Sequence, residues 1–229
     1  VGLNGSIYFV PGYAEHRPAV RRLLGGELFE PGTHELIDFI FSRFEGSLVH
    51  AGTFFGDMLP TFSAAVTGTV YAFEPVLENY ILANLCMQHN QLSNVLLFHS
   101  ALGAETQNLR INTAEFDGQH RGGASAIDSV GSLCLANSID SLPIQDLTMI
   151  QLDIEGFELQ ALLGAANTIR EQRPIVAIED NNNNWSEHLE NSQYEHRLSI
   201  PGLEIWSPTE SVEYAEALAA FAQRFSTPA

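Results

Sequence analysis

The strongest constraint on the fold is an apolar run, Ser47 to Ala51, that ends in Gly52-Thr53-Phe54-Phe55-Gly56, followed by a second run, Thr69 to Phe73, that ends in Glu74. The acid stands 22 residues beyond the first glycine. Two short buried runs, one closed by Gly-x-x-x-Gly and the next by a carboxylate, match the way a nucleotide-like ligand is gripped at the edge of a parallel sheet. Gly52 and Gly56 permit a tight turn and a close ligand approach, and the helix that follows offers unpaired N–H groups. Glu74 can accept hydrogen bonds from both hydroxyls of a ribose. The combination points to a cofactor site.

The rest of the chain extends this βαβ start. Leu36, Ile37, Ile40, Phe41 and Phe44 recur at helical spacing ahead of the first strand. Asp57 to Ala65 is expected to be a helix that Pro60 restricts in its first turn, and Pro75 to open a helix through Asn90. Val95 to Phe98 reads as a third strand, and Ser100 to Gly103 as a turn out of it. The Gly-rich polar stretch Thr113 to Ala126 is expected to be a mobile loop over a site. Leu147 to Leu152 then reads as a strand ending at Asp153, Glu155 to Ile169 as one helix, and Pro174 to Ile178 as a strand ending in Glu179-Asp180-Asn181. Leu203 to Trp206 and a helix over Glu210 to Phe225 finish the chain. Alternating strands and helices predict an α/β fold with a parallel sheet. Ligands bind outside the carboxyl ends of such strands, so Glu74, Asp153, Glu155, Glu179 and Asp180 are expected in one crevice.

Composition narrows the chemistry. The chain has 229 residues, 45% of them apolar, enough for one sizeable core. Its formal charge is −18, with ten arginines and no lysine, which excludes Schiff-base and P-loop lysine chemistry and disfavours a nucleic-acid partner. No run of about 18 apolar residues is present, so no membrane span is expected. Val1 to Pro11 has no secretory pattern, and Cys86 and Cys134 lack metal-ligand spacing and read as reduced thiols. A cytoplasmic setting is the expectation. The missing initiating Met leaves a longer parent chain open, and a homo-oligomer stays open too. Arg17, Arg21 and Arg22 form a basic cluster that reads first as an exposed helix face.

In order and spacing, these motifs resemble the FkbM family of S-adenosylmethionine-dependent methyltransferases, part of the class I superfamily. The resemblance runs from about Ser47 to Glu179. It includes the glycine loop, Tyr71-Ala72-Phe73-Glu74-Pro75, Ser100-Ala101-Leu102-Gly103 and, most specific, Leu152-Asp153-Ile154-Glu155-Gly156-Phe157-Glu158-Leu159. It implies a Rossmann-like, doubly wound, mostly parallel seven-stranded sheet, with residues 1–46 as an N-terminal extension and 47–229 as the methyltransferase domain. It implies that Gly52 and Gly56 hold the amino-acid part of S-adenosylmethionine and Glu74 its ribose, with Thr53 and Pro75 in the same site. Ala101 would border the adenine, and Asp153 and Glu155 would face the methionine end and the acceptor. Two positions depart from the family pattern. Its usual Asp at the start of the glycine motif is His50, which leaves the ammonium ligand open among His50, the backbone, Asp57 and Asp153, although a plain packing or hydrogen-bonding role weighs more for His50. Its usual Lys before the Asp is Gln151.

Methyl transfer from a sulfonium is an in-line displacement, for which alignment supplies roughly 7 to 11 kcal/mol and a general base on the order of 3 to 5 kcal/mol. Asp153, Glu155 and Glu179 are the candidates to take a proton from a hydroxyl on a small-molecule or glycan acceptor. Asp153 with Asp180 and Asn181 is also similar to the ligand set of catechol-type O-methyltransferases, which would add a divalent cation. Two rivals use the same sheet: a nicotinamide-dependent oxidoreductase, for which Gly52-Thr53-Phe54 lacks the second glycine, and a non-catalytic binding protein.

Overall fold

The computed structural model describes residues 1–179 and 185–225. The chain begins with a small hairpin, Gly2–Leu3 (β1) and Ser6–Ile7 (β2), and two helices, Pro18–Leu24 (α1) and Pro31–Phe41 (α2). Strands and helices then alternate: Ser47–Ala51 (β3), Leu59–Ala65 (α3), Val70–Phe73 (β4), Leu77–His89 (α4) and Val95–Phe98 (β5). Four strands follow, Ala101–Leu102 (β6), Gln107–Asn112 (β7), Ala126–Ile127 (β8) and Ser132–Asn137 (β9). Next come Leu147–Leu152 (β10), Glu158–Leu163 (α5), Ala166–Gln172 (α6) and Ile175–Glu179 (β11). Ser186–Asn191 (α7), Tyr194–Ile200 (β12), Leu203–Pro208 (β13) and Val212–Phe225 (α8) complete the fold.

The main sheet has seven strands in the order β12-β13-β11-β10-β3-β4-β5. Neighbours are parallel except at β13, which runs antiparallel to both β11 and β12. Side-chain alternation divides the core. Leu48, Met149, Ile175 and Ala177 face α2, α3 and α8, while Val49, Ala51, Ile150, Leu152 and Val176 face the layer of α5, α6 and Trp185. Chain order reverses between β3 and β10, the switch point at which open α/β sheets bind ligands. Among the described residues no helix is long and apolar enough to cross a membrane.

Several elements differ from the sequence expectation for local reasons. The helix expected over Glu155 to Ile169 is two helices, because the carboxylate of Asp140 accepts Asn167 N at 2.9 Å and Thr168 N at 2.8 Å and so starts α6 afresh. A Cβ on Gly164, between them, would stand 2.0 Å from the carbonyl oxygen of Gly103. Pro75 precedes α4 instead of opening it, since Glu74 accepts the N–H of Val76 and holds residues 74–76 in a turn. β6 to β9 form a separate four-stranded sheet, and β12 makes a hairpin with β13; both escape a search for periodicity because their strands are short or half exposed.

Candidate functional site

Two hollows open at the carboxyl ends of β3 and β10 and meet over Gly52, Gly123 and Asp153, which line both. The first encloses about 480 Å³ and is mostly apolar, with Ala51, Phe73, Leu102, Ile111, Ile127 and Phe157 around Glu74, Pro75, Ser100 and Ala101. The second encloses about 760 Å³ and carries Glu30, Asp57, Asp153, Glu155, Glu179 and Arg17.

The backbone between the hollows is crowded with protein. Gly52 has φ +94°, and a Cβ there would stand 1.9 Å from the carbonyl oxygen of Asp153; Gly56 has φ +83°, and its Cβ would stand 3.0 Å from Ala83 on α4. Thus these glycines first serve to bring β3 against β10 and the loop against α4. Phe54, also left-handed at φ 49°, lies against Gly122 and Gly123, where an added Cβ would come 3.0 Å and 3.2 Å from its ring. Three lining residues of the second hollow, Glu30, Phe54 and Glu155, are non-glycine residues with positive φ. Each such conformation costs about 1 kcal/mol, and such strain concentrates at functional sites.

Glu74 is buried at the edge of the first hollow. One carboxylate oxygen accepts Phe54 N at 2.8 Å; the other accepts Val76 N at 2.8 Å and Asn79 Nδ2 at 3.3 Å. Burial nevertheless outweighs these bonds and pushes its carboxyl up to about 8. Asp57, 7% exposed, has its own backbone N–H as its hydrogen-bond donor, and burial with the Glu30 charge raises it to about 7. Asp153 is raised well above the carboxylate range, first by burial and then by Glu179, Glu30 and Glu155, and it hydrogen-bonds Glu179. Glu155 is raised by burial and Glu179 and lowered by Arg17 and Arg121. Glu158, fully buried, accepts Ile154 N at 3.1 Å and Gly156 N at 3.2 Å, which braces the turn that presents Asp153 and Glu155.

Of the residues singled out from sequence, Gly52, Glu74, Pro75, Ala101 and Asp153 line the first hollow, and Gly52, Asp57, Asp153, Glu155 and Glu179 the second. His50, Thr53 and Gly56 line neither. His50 is 1% exposed, set edge-on to Phe62 at 5.0 Å with Nδ1 hydrogen-bonded to Oε1 of Gln151; burial drives its pKa down to about 4. Asp180 and Asn181 lie outside the described residues, and among the described residues no group of three His, Cys, Asp or Glu is arranged to hold a metal ion. The segment from Thr113 to Ala126 contributes Gly122, Gly123 and Ser125 to the walls. Sequence reasoning missed Glu30 and Phe29: Glu30 stands just before Pro31 at a helix start, where an acid reads as a cap.

The N-terminal segment closes the site. Tyr8, Val20 and Leu23 form one apolar cluster with Phe54, Phe55 and Cys86. Tyr13 donates to Asn79 Oδ1 at 2.8 Å, and Asn79 Nδ2 also reaches the carbonyl of Gly122 at 3.4 Å.

A family model described as the methyltransferase FkbM domain matches residues 50–200. Among solved structures, the methyltransferase FkbM from Methylobacillus flagellatus KT superposes with a TM-score of 0.53 at 19% identity, over 78% of this chain and 50% of that one. This chain therefore spans half the length of that relative. A ribosomal protein L11 methylase from Lactobacillus delbrueckii subsp. bulgaricus gives a TM-score of 0.48 at 12% identity, over 76% of each chain. An O-methyltransferase from Bacillus cereus in complex with SAH gives 0.48 at 9% identity, over 78% of this chain and 80% of that one. No curated protein matches.

Proposed function

The chain belongs to the FkbM methyltransferase family, and from that premise we propose that it is an S-adenosylmethionine-dependent O-methyltransferase acting on a hydroxyl of a small molecule or glycan. The observation that carries this is the junction of the two hollows: Gly52, Gly123 and Asp153 line both, so one elongated donor can extend from Glu74 to Asp57 with its centre beside Asp153. Residues 1–46 act as a cap that completes the acidic hollow, and residues 47–229 carry the sheet and the donor site.

The side chains fit such a donor. An ionised carboxylate has about four acceptor positions, and three on Glu74 are taken, the longest by Asn79 at 3.3 Å. A ribose hydroxyl takes the free position and a second competes with Asn79. The apolar walls of the first hollow, with Ala101 and Leu102, suit an adenine face. Asp57 has no side-chain donor and suits an ammonium, taking over from the position filled by His50. When bound, the donor supplies a methyl group activated by a sulfonium. The protein's task is then to align the acceptor, worth roughly 7 to 11 kcal/mol, and to accept its proton. Asp153 and Glu179, joined by a hydrogen bond, share one proton and keep one ionised oxygen to receive another, while Glu155 stands beside them at the rim.

Calorimetric titration with S-adenosylhomocysteine tests the donor site. Wild type is expected to bind, and Glu74→Gln to bind about tenfold to a hundredfold more weakly, the scale of hydrogen bonds to a charged group. Transfer of labelled methyl to a panel of hydroxylated acceptors tests turnover. Binding of reduced nicotinamide in place of the donor would favour the oxidoreductase, and tight donor binding with no transfer to any acceptor would favour a binding protein.

A further inference from the structure

His50 and Gln151, two buried polar side chains that line neither hollow, are direct partners. They sit in register on neighbouring parallel strands, β3 and β10. Each is 1% exposed, and His50 Nδ1 bonds Oε1 of Gln151. We infer that His50 and Gln151 are one coupled, uncharged rung, and that this rung positions the Gly52–Asp153 seam of the active site.

The case is electrostatic and geometric. A carboxylate at position 50 facing Gln151, or an ammonium at position 151 facing His50, would be a buried charge without a counter-charge, and both arrangements are strongly unfavourable. Both changes together supply an ion pair, so the effects of the two changes are expected to be coupled. The side of the sheet that carries them is buried and mostly apolar: Leu48 and Met149 precede them on the same face, and Phe62 packs edge-on to the His50 ring. Buried His34, on the other contact of Phe62, is the titratable group whose charge acts on His50. Immediately beyond the rung, Asp153 N donates to Ala51 O at 3.1 Å, and the Gly52 backbone touches the Asp153 carbonyl so closely that a Cβ would stand 1.9 Å from it. The width of the rung therefore sets where Asp153 leaves β10, which makes His50 and Gln151 positioning residues. The coupling needs no assumption about the ligand; the positioning half rests on the donor site proposed above.

A double-mutant cycle tests both halves. His50→Asp and Gln151→Lys are each expected to lower the melting temperature by about 10 °C or more, or to prevent folding. The double variant His50→Asp/Gln151→Lys is expected to fold and to recover most of that loss. A double variant that loses as much as the two singles combined, or that fails to fold, overturns the coupling. For positioning, His50→Asn keeps a neutral side chain but shortens it; it is expected to melt cooperatively and to bind S-adenosylhomocysteine about tenfold more weakly, while the double charged variant binds within about threefold of wild type. Wild-type affinity in His50→Asn overturns the positioning role. Should wild type itself not bind S-adenosylhomocysteine, the donor site fails and the positioning role with it, while the melting cycle still decides the coupling.

Discussion

Donor binding should expel protons from this site. In the free protein Glu74 titrates at about 8 and Asp57 at about 7, so at pH 7 they hold about 0.9 and about 0.5 of a proton respectively. Ribose hydroxyls on Glu74 and an ammonium on Asp57 both favour the ionised carboxylate. Binding at pH 7 then releases up to about 1.4 protons from the pair. The sign follows: the bound state holds fewer protons, so affinity rises with pH. Between pH 7 and pH 8 the gain is about fivefold from Glu74 and about twofold from Asp57, or about tenfold together. Calorimetry of S-adenosylhomocysteine in buffers of different ionisation enthalpy measures the release directly. Repeating it with Glu74→Gln cancels any contribution from the ligand's own amine, and the difference should be about 0.9 of a proton at pH 7. Equal proton release in the two proteins, or affinity that is flat from pH 7 to pH 8, would refute the assignment of Glu74.

Two further outcomes are expected. Gly52→Ala must hold a left-handed backbone at φ +94° with a Cβ 1.9 Å from the Asp153 carbonyl, so urea unfolding should show a loss of at least about 2 kcal/mol; a loss under about 0.5 kcal/mol would mean the seam yields freely. The buried carboxyls also tie folding to pH. Because Asp57 and Glu74 are raised to about 7 and about 8, the folded chain holds extra protons, and their stabilisation is complete in acid and lost as pH climbs through those values. His50, lowered to about 4, acts oppositely and costs stability as pH falls from about 6.5. With two raised carboxyls against one lowered histidine, denaturant midpoints should fall from about pH 5 to pH 8, most steeply just above pH 6.5 where the opposing His50 contribution ends, with Asp57→Asn flattening part of that fall; a steady rise from about pH 5 to 8 contradicts this.

The sheet, and the residues it brings to the two hollows, are legible because their signals are local. Ser47 to Ala51 and Leu147 to Leu152 are apolar runs buried on both faces, and each delivers its next residues, Gly52 and Asp153, to the crevice. What stayed hidden depends on contacts distant in sequence. Nothing near Gly164 announces that Asp140 will cap a new helix there, and nothing near Glu30 announces that it will face Glu179 across a hollow. In sequence Gly52 and Gly56 signal a tight turn and a close ligand approach, but their positive φ and the protein neighbours that take up the Cβ space, the Asp153 carbonyl and Ala83, appear only in three dimensions. The burial of His50 away from both hollows likewise follows from strand alternation together with the placement of Phe62.

The clasp of Tyr8, Val20 and Leu23 on Phe54 and Phe55 bears on how the protein can be cut. The stretch recognisable as family begins at residue 50, yet a fragment starting there would bare two aromatic rings to water and forfeit one rim of the acidic chamber. What evolution keeps recognisable and what folds as a cooperative body have different edges here, and a truncation guided by the first would sever the second.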